Sequence, residues 1–411
     1  MLRHHCLIGL CAVIGFGAVM ASGEARVLPG SPVSVKHKLV ADLGSEHIAH
    51  AICRHTKGGL ATMVSWGERI LEWPLPPREP ELREVVAPVK GLGYSNGGCS
   101  LDVDGDGVEE IIVARGGGRW CADPKLYWYQ ETAAGRWSEH LAVEMGRGSI
   151  APHDLVPISF GTARDQTGGV VAVLDRRQLE WYQILADPAA RWLRHSIATL
   201  PKSGQSGLKV GDVAGHGRSD LVCGTFWVEC PADPLKEPWV VHRYSHWDDE
   251  GWGGMDKVEL ADMDGDGQPE IVATEAEIPN ARLGIFYRDP KLPDGEWKYR
   301  ELDRGLYCPH SLVLTDIDGD GALDIIVGEM TAGGWSFPLN DRPRIFAYLN
   351  RRKQPFEKQV LVEGWGVHEM GLVPRQGSEP LMLFAADETQ TQKFADMKTR
   401  VHLWMLSRPG P

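Results

Sequence analysis

Short apolar runs rich in β-branched residues recur along the chain, separated by polar, glycine-rich turns. Ile111-Ile112-Val113, Ile271-Val272-Ala273 and Ile325-Ile326-Val327 are continuous rather than alternating, the pattern of a central strand buried on both faces. A second class of run carries aromatics: Leu126-Tyr127-Trp128-Tyr129, Leu179-Glu180-Trp181-Tyr182, Ile285-Phe286-Tyr287 and Ile345-Phe346-Ala347-Tyr348. These predict third strands that each pack an aromatic between neighbouring sheets. No segment reads as a helix, so the pattern predicts an all-β chain.

The turns ahead of the first class of run set a period. LDVDGDGVEEIIVARG from Leu101, ADMDGDGQPEIVATEA from Ala261 and TDIDGDGALDIIVGEM from Thr315 share one pattern, and GDVAGHGRSDLVCGTF from Gly211 is a worn copy. Their spacing places further units near Cys53, Ser159 and Pro374, giving seven units of about 50–58 residues, the size of a propeller blade. A second marker, an outer strand with a basic residue or histidine, also occurs seven times. It is found at KHKLV (Lys36), REVV (Arg83), EHLAV (Glu139), RHSIA (Arg194), VHRYS (Val241), YRELD (Tyr299) and EKQVL (Glu357). The first precedes the first full unit, and the last unit has none of its own. The chain is therefore expected to be one seven-bladed β-propeller over residues 31–411, closed by its N-terminal strand at residues 33–40. Such closure removes exposed sheet edges.

The 48 glycines and 15 tryptophans among the 411 residues fit an all-β repeat fold. The formal net charge of −13 argues against a nucleic-acid partner, because phosphate binding needs an excess of Lys and Arg on one face. Arg3, an apolar stretch at residues 6–20 and the small residues Ala21, Ser22 and Gly23 read as an export signal over residues 1–23. That stretch is too short for a comfortable membrane span, and no later segment is apolar enough to be one. The mature chain is expected to be secreted or periplasmic. It keeps Cys53, Cys99, Cys121, Cys223, Cys230 and Cys308, which allow 15 pairings, with Cys223 to Cys230 a plausible local bridge.

In the three intact turns, D-x-D-G-D-G-x-x-[DE] offers carboxylates at positions 1, 3, 5 and 9, with glycines that permit the tight turn. The implied ligands are Asp102, Asp104, Asp106 and Glu110; Asp262, Asp264, Asp266 and Glu270; and Asp316, Asp318, Asp320 and Asp324. An all-oxygen cage of this kind suits Ca²⁺. Position 12 is Val113, Ala273 or Val327, inside a strand, which excludes an EF-hand. The worn copy, with Ala214 and His216 at positions 3 and 5, is expected to bind no calcium. These motifs resemble FG-GAP/VCBS-type repeats, a resemblance that implies the propeller fold and says little of activity.

Six residues before each first aspartate stands Asn96, Asp256 or His310, and the same register gives His47, His153, Ser206 and His368 in the other units. All seven are polar and open the innermost strand, so they are expected at the mouth of the central channel. Imidazoles there suit Zn²⁺ or another divalent ion, with His47, His310 and His368 as ligands and His153 as a fourth ligand or a base. Arg115, Asp175, Glu275, Glu329 and Asp387 end the second strands on the same face. Arg115 is a candidate for holding an anionic group and Glu329 for completing the metal site. Trp120, Trp227 and Trp335 follow in loops and, with Asn96 and Asp256, are candidate sugar contacts. His37, His140, His195 and His242 recur in outer strands and read as structural.

Pro152-His153-Asp154-Leu155, Pro309-His310-Ser311-Leu312 and the pair His368-Glu369 resemble the propeller domain of the aldos-2-ulose dehydratase family. The resemblance implies a propeller that binds metal and dehydrates a keto-sugar; that family also carries cupin domains, for which this chain has no counterpart. The sequence thus points to a metal-dependent carbohydrate dehydratase or lyase acting on a keto-sugar or uronate. The competing reading is a non-catalytic propeller that binds carbohydrate or protein. No G-x-S-x-G elbow or nucleophilic Cys–His signature is present, which weakens hydrolase readings.

Overall fold

The computed structural model describes residues 33–407, apart from 58–59, 76–80, 119–120, 134, 147–150, 161–166, 250–256, 289–295, 332–337, 353–354, 374–379 and 390–397. The chain forms seven antiparallel sheets of four strands each, the blades of a β-propeller. The innermost strands are Ile48–Thr56, Leu92–Leu101, Asp154–Phe160, Leu208–Gly211, Lys257–Ala261, Ser311–Thr315 and Met370–Val373, which open blades one to seven. Each touches the next around the ring, and Met370–Val373 returns to touch Ile48–Thr56. Helical structure among the described residues is confined to short stretches such as the turn Trp247–Asp249.

Both sequence markers fall where the repeat put them. The apolar triplets are second strands, buried throughout in Glu270–Thr274 and Asp324–Gly328, so each blade has an apolar layer on both faces. The cores lie between blades: Ile325, Val327, Phe346 and Tyr348 pack with Val272 and Leu283 of the preceding blade. The seven basic or histidine-bearing runs are outermost strands. Ser34–Asp42, the first of them, pairs antiparallel with Lys398–Ser407, from Ser34 opposite Ser407 to Asp42 opposite Arg400, with one register shift between Leu39 and Ala41. The seventh sheet therefore takes its outer strand from the N-terminal end and its other three from the C-terminal end.

The outer-strand histidines have a packing role. His140 stacks on Trp128 at 4.0 Å, His195 on Trp181 at 4.6 Å and His242 on Trp227 at 4.1 Å between ring centroids. His37 reaches Trp404 in the seventh blade. The imidazole covers the face of a third-strand indole while its nitrogen meets a polar neighbour, as His242 Nε2 meets Glu229 at 2.9 Å.

The local bridge anticipated between Cys223 and Cys230 does not form, and the structure holds no disulfide among the described residues. Hairpin register explains this. Cys223 stands opposite Phe226 at the turn, whereas Cys230 follows the far end of the returning strand. About four residues at ~3.3 Å each separate the two along the hairpin, beyond disulfide reach.

Candidate functional site at the channel mouth

In blades two, four, five and six the first strand runs from the channel mouth to an acidic turn, so the residues that open it stand on the face opposite those turns. The turns between second and third strands, which carry Arg176 and Glu277, lie on the mouth side. The mouth opens into a cavity of about 190 Å³. All seven blades line it: Asn96, His153, Asp154, Lys257, His310 and Glu369 contribute its chemistry. Lys209 and Glu259, paired at 2.7 Å, lie further along the strands.

A band of imidazoles crosses blades one, seven and six. His50 stacks on Trp66 and meets His368 edge-on at 5.2 Å, and His368 stacks on His310 at 4.2 Å. Glu369 bonds His50 Nδ1 through Oε2 at 2.9 Å and Lys257 Nζ through Oε1 at 2.6 Å. His50, His368 and Glu369 each offer a ligand atom within 4.8 Å of the others. Two imidazoles and a carboxylate are a donor set that fits Zn²⁺ or a similar ion.

Electrostatics hold these groups in defined states. Burial pushes the Glu369 carboxyl up, but Lys257 and then His50 reverse this and leave it well below its usual range. Burial lowers His50, with Glu369 opposing, so its imidazole is kept neutral, the form that ligates metal. His310 Nδ1 donates to the His368 carbonyl at 3.0 Å, which turns Nε2 toward Glu277 Oε1 at 3.7 Å. The Glu277 carboxyl, raised by burial, is brought down to about 2 by His310, Arg176 and His153. Asp154 Oδ2 holds His153 Nδ1 at 3.0 Å and also accepts the Gly207 amide. Burial raises the Asp154 carboxyl, and His153 and Lys257 more than reverse this.

Several sequence-named residues join this site and others stand elsewhere. His153, His310, His368 and Asn96 are at the mouth. His47 precedes its strand, and the register shift between Ile48 and His50 carries His50 into the band instead. Ser206 is buried, its hydroxyl 3.2 Å from Arg176 Nη2. Asp256, Trp120 and Trp335 lie outside the described residues.

Three expectations are corrected by the geometry. Glu329 does not face a metal group: it is fully buried and clamps Arg344 through its backbone amide, Nε and Nη2, just as Glu275 clamps Arg282 one blade earlier. A second-strand carboxylate that neutralises an arginine on the adjoining strand is thus a repeated blade device. Arg115 of a second strand is also neutralised, here across the intervening third strand. Glu139 of the outer strand holds it at 2.7 and 2.9 Å, and it lies over Tyr127. Trp227 is not a rim aromatic: it is 3% exposed, within the strand Phe226–Glu229, between His242 and the Arg288 guanidinium.

The acidic turns form a second set of groups able to hold metal. Asp102, Asp104 and Glu110 converge within 4.8 Å, as do Asp262, Asp264 and Glu270, and Asp316, Asp318 and Asp320. The first aspartate caps the glycine amides at positions 4 and 6, as Asp262 does for Gly265 and Gly267. Asp106 and Asp266 turn back to the amides two residues on, and Asp324 caps Ile317 and Asn350. These three stand outside the convergent sets. Burial and then the crowding of the loop aspartates push Glu110 and Glu270 up to about 7. A cation in the cage would relieve that crowding, so the donors fit Ca²⁺. In the worn fourth turn the His216 ring lies between Asp212 and Asp220, at 3.3 and 3.2 Å.

The architecture and these clusters define a seven-bladed β-propeller with histidine and acidic groups able to hold metal ions. No family model matches the sequence, and no curated protein does. Among 235 solved chains that match in fold, one comes from the mercury-soaked crystal structure of BBS1N in complex with ARL6DN. It aligns with a TM-score of 0.51 over 91% of this chain and 98% of that one, at 11% identity. The likeness is one of fold, which many unrelated functions share.

Proposed function

We propose that this propeller is a divalent-metal-dependent carbon–oxygen lyase that dehydrates a carbohydrate in its central cavity. The observation that carries the reading is the convergence of His50, His368 and Glu369 beside Lys257, His310 and the His153–Asp154 pair in one small cavity. An ion there would polarise a substrate carbonyl and acidify the neighbouring C–H. His153, its Nδ1 fixed by Asp154, is the base placed to take that proton. The hydroxyl on the next carbon leaves as water, taking up the proton that the His153 imidazolium returns. Lys257 and Arg176 provide positive charge at the mouth in place of Arg115. The resemblance to FG-GAP/VCBS repeats and to the aldos-2-ulose dehydratase family supports the reading, as do the three acidic turns as calcium sites that stabilise the blades. The leader-like N-terminus supports a secreted or periplasmic setting.

The test is elemental analysis of protein purified without chelator, then a screen of keto-sugars and uronates for new ultraviolet absorbance. A non-calcium ion near one per chain is expected, lost in His368→Ala with calcium retained, together with a lyase product from the wild type only. Calcium alone in the wild type, or product formation unchanged in His368→Ala, overturns the reading. A second reading is a protein-binding propeller without catalysis. The fold neighbour favours it, because BBS1N was solved in complex with ARL6DN. Calcium alone with no product in the screen would point there.

A further inference from the structure

A second cavity, of about 240 Å³, lies between blades five and six at the acidic-turn end of the strands. It stands at the opposite end of the blades from the channel mouth. Met263, Asp264, Tyr287, Arg300, Arg352 and Phe356 are among the described residues that line it. Its two arginines differ from their neighbours. Arg351, one residue before Arg352, is engaged by Asp318, Asp320 and Glu357. Among the described residues, neither the Arg300 nor the Arg352 guanidinium has a hydrogen bond or ion pair. Arg300 instead lies over the Phe356 ring at 5.5 Å.

Arg352 is held in place by its backbone. Its φ of 54° is left-handed, a conformation a non-glycine residue adopts only when its surroundings hold it there. Asn350 maintains it: the Asn350 Oδ1 accepts the Arg352 amide at 2.9 Å, its Nδ2 donates to the Met263 carbonyl at 2.7 Å, and its own amide donates to Asp324. The guanidinium is thereby set at the seam of two blades. Its nitrogens lie 3.9 and 3.6 Å from where a methyl group on Gly265 or Gly321 would stand.

We propose that this groove binds a carboxylate-bearing sugar residue, of the uronic acid class. Two guanidinium groups without a polar partner among the described residues call for a planar anion, which a carboxylate supplies in the geometry a guanidinium matches. Asp264 at the rim disfavours a second anion and leaves a carboxylate oxygen that can accept a hydroxyl. Tyr287, 37% exposed, offers a flat face for a ring. A ligand with one carboxylate, several hydroxyls and a flat apolar face satisfies all three walls together, and this requirement is independent of the chemistry at the channel mouth.

The experiment is isothermal titration of the full mature chain with trigalacturonate and, as the neutral counterpart, galactotriose. Binding of the acid at least about tenfold tighter than the neutral sugar is expected. Arg300→Gln and Arg352→Gln should each weaken the acid about tenfold or more without moving the melting temperature, and the same loss on arginine substitution should persist in the His368→Ala background. Equal affinity for the two sugars, or arginine variants that bind as the wild type does, overturns the proposal. So does acid binding lost in His368→Ala and kept in both arginine variants, which would place the uronate in the central cavity instead.

Discussion

Acidification should loosen the seam where the two ends of the chain share a sheet, through His402. This residue lies in Lys398–Ser407, fully buried, with Nδ1 2.8 Å from His37 Nε2 on the N-terminal strand. Trp365 and Trp404 pack against its ring, Arg400 is close, and Asp387 Oδ2 is 4.0 Å from Nε2. Burial first, then His37 and Arg400, lower its pKa from 6.5 to about 3. The folded protein thus keeps His402 neutral where the unfolded chain binds a proton. The stability this gives is complete above about pH 7 and falls as pH drops through 6.5 toward 3. With about 1.4 kcal/mol per pKa unit, the loss at pH 5 is roughly 2 kcal/mol. Carboxylates also titrate in this range, so the informative quantity is a difference. His402→Gln keeps a hydrogen-bonding group toward His37 and removes the titration. Urea unfolding at pH 7.5 and pH 5 should show the wild type losing about 2 kcal/mol more than the variant. Equal losses in the two proteins would refute the account of a buried neutral imidazole at the seam.

Removing residues through 42 should expose Trp404 and Leu406 and forfeit the burial of Val33 and Val35, costing on the order of 3–5 kcal/mol. A truncated chain that melts with the full-length protein would contradict this. Chelator should lower the melting temperature by emptying the acidic cages, and Asp264→Ala should show a smaller chelator response; an unchanged wild-type melting curve would make the loops ordinary acidic turns. Arg344→Ala should cost about 3–5 kcal/mol by stranding the buried Glu329 carboxylate, with Glu329→Gln in the same background recovering part of it. Chemical denaturation of the three proteins checks this, and a loss under 1 kcal/mol for Arg344→Ala would show the pair to be dispensable.

The blade count was readable because it was written twice, in the acidic turns and in the outer strands, and because a blade is a local unit. Side-chain direction was harder to read. Trp227 follows the Gly224–Thr225 turn, where Gly224 takes a φ of 57° and closes a two-residue hairpin. That tight turn puts Trp227 in a strand opposite Val222 rather than in a loop, and the sequence shows only an aromatic after a glycine. Glu275 and Glu329 were visible as carboxylates near the mouth. Their arginine partners, seven and fifteen residues on, become neighbours only through strand pairing.

The central site shows the same limit at one residue's resolution. His47-Ile48-Ala49-His50 offers two imidazoles three residues apart, and the repeat register selects the first. The structure selects the second, because the extra residue between Ile48 and His50 re-aims the strand. His50 then stacks on Trp66 and reaches Glu369 of the neighbouring blade. Lys257 and Glu277 escaped notice because neither occupies the repeat position that the histidines share. The resulting band draws on the first, sixth and seventh blades, and the seventh is the sheet built from both ends of the chain. His368 and Glu369 open that sheet's innermost strand, while Ser34–Asp42 forms its outer edge. The donor set at the mouth is therefore held by the same sheet whose edge depends on the N-terminal strand, so a lesion at that distant edge should disturb the alignment of those donors as well as stability.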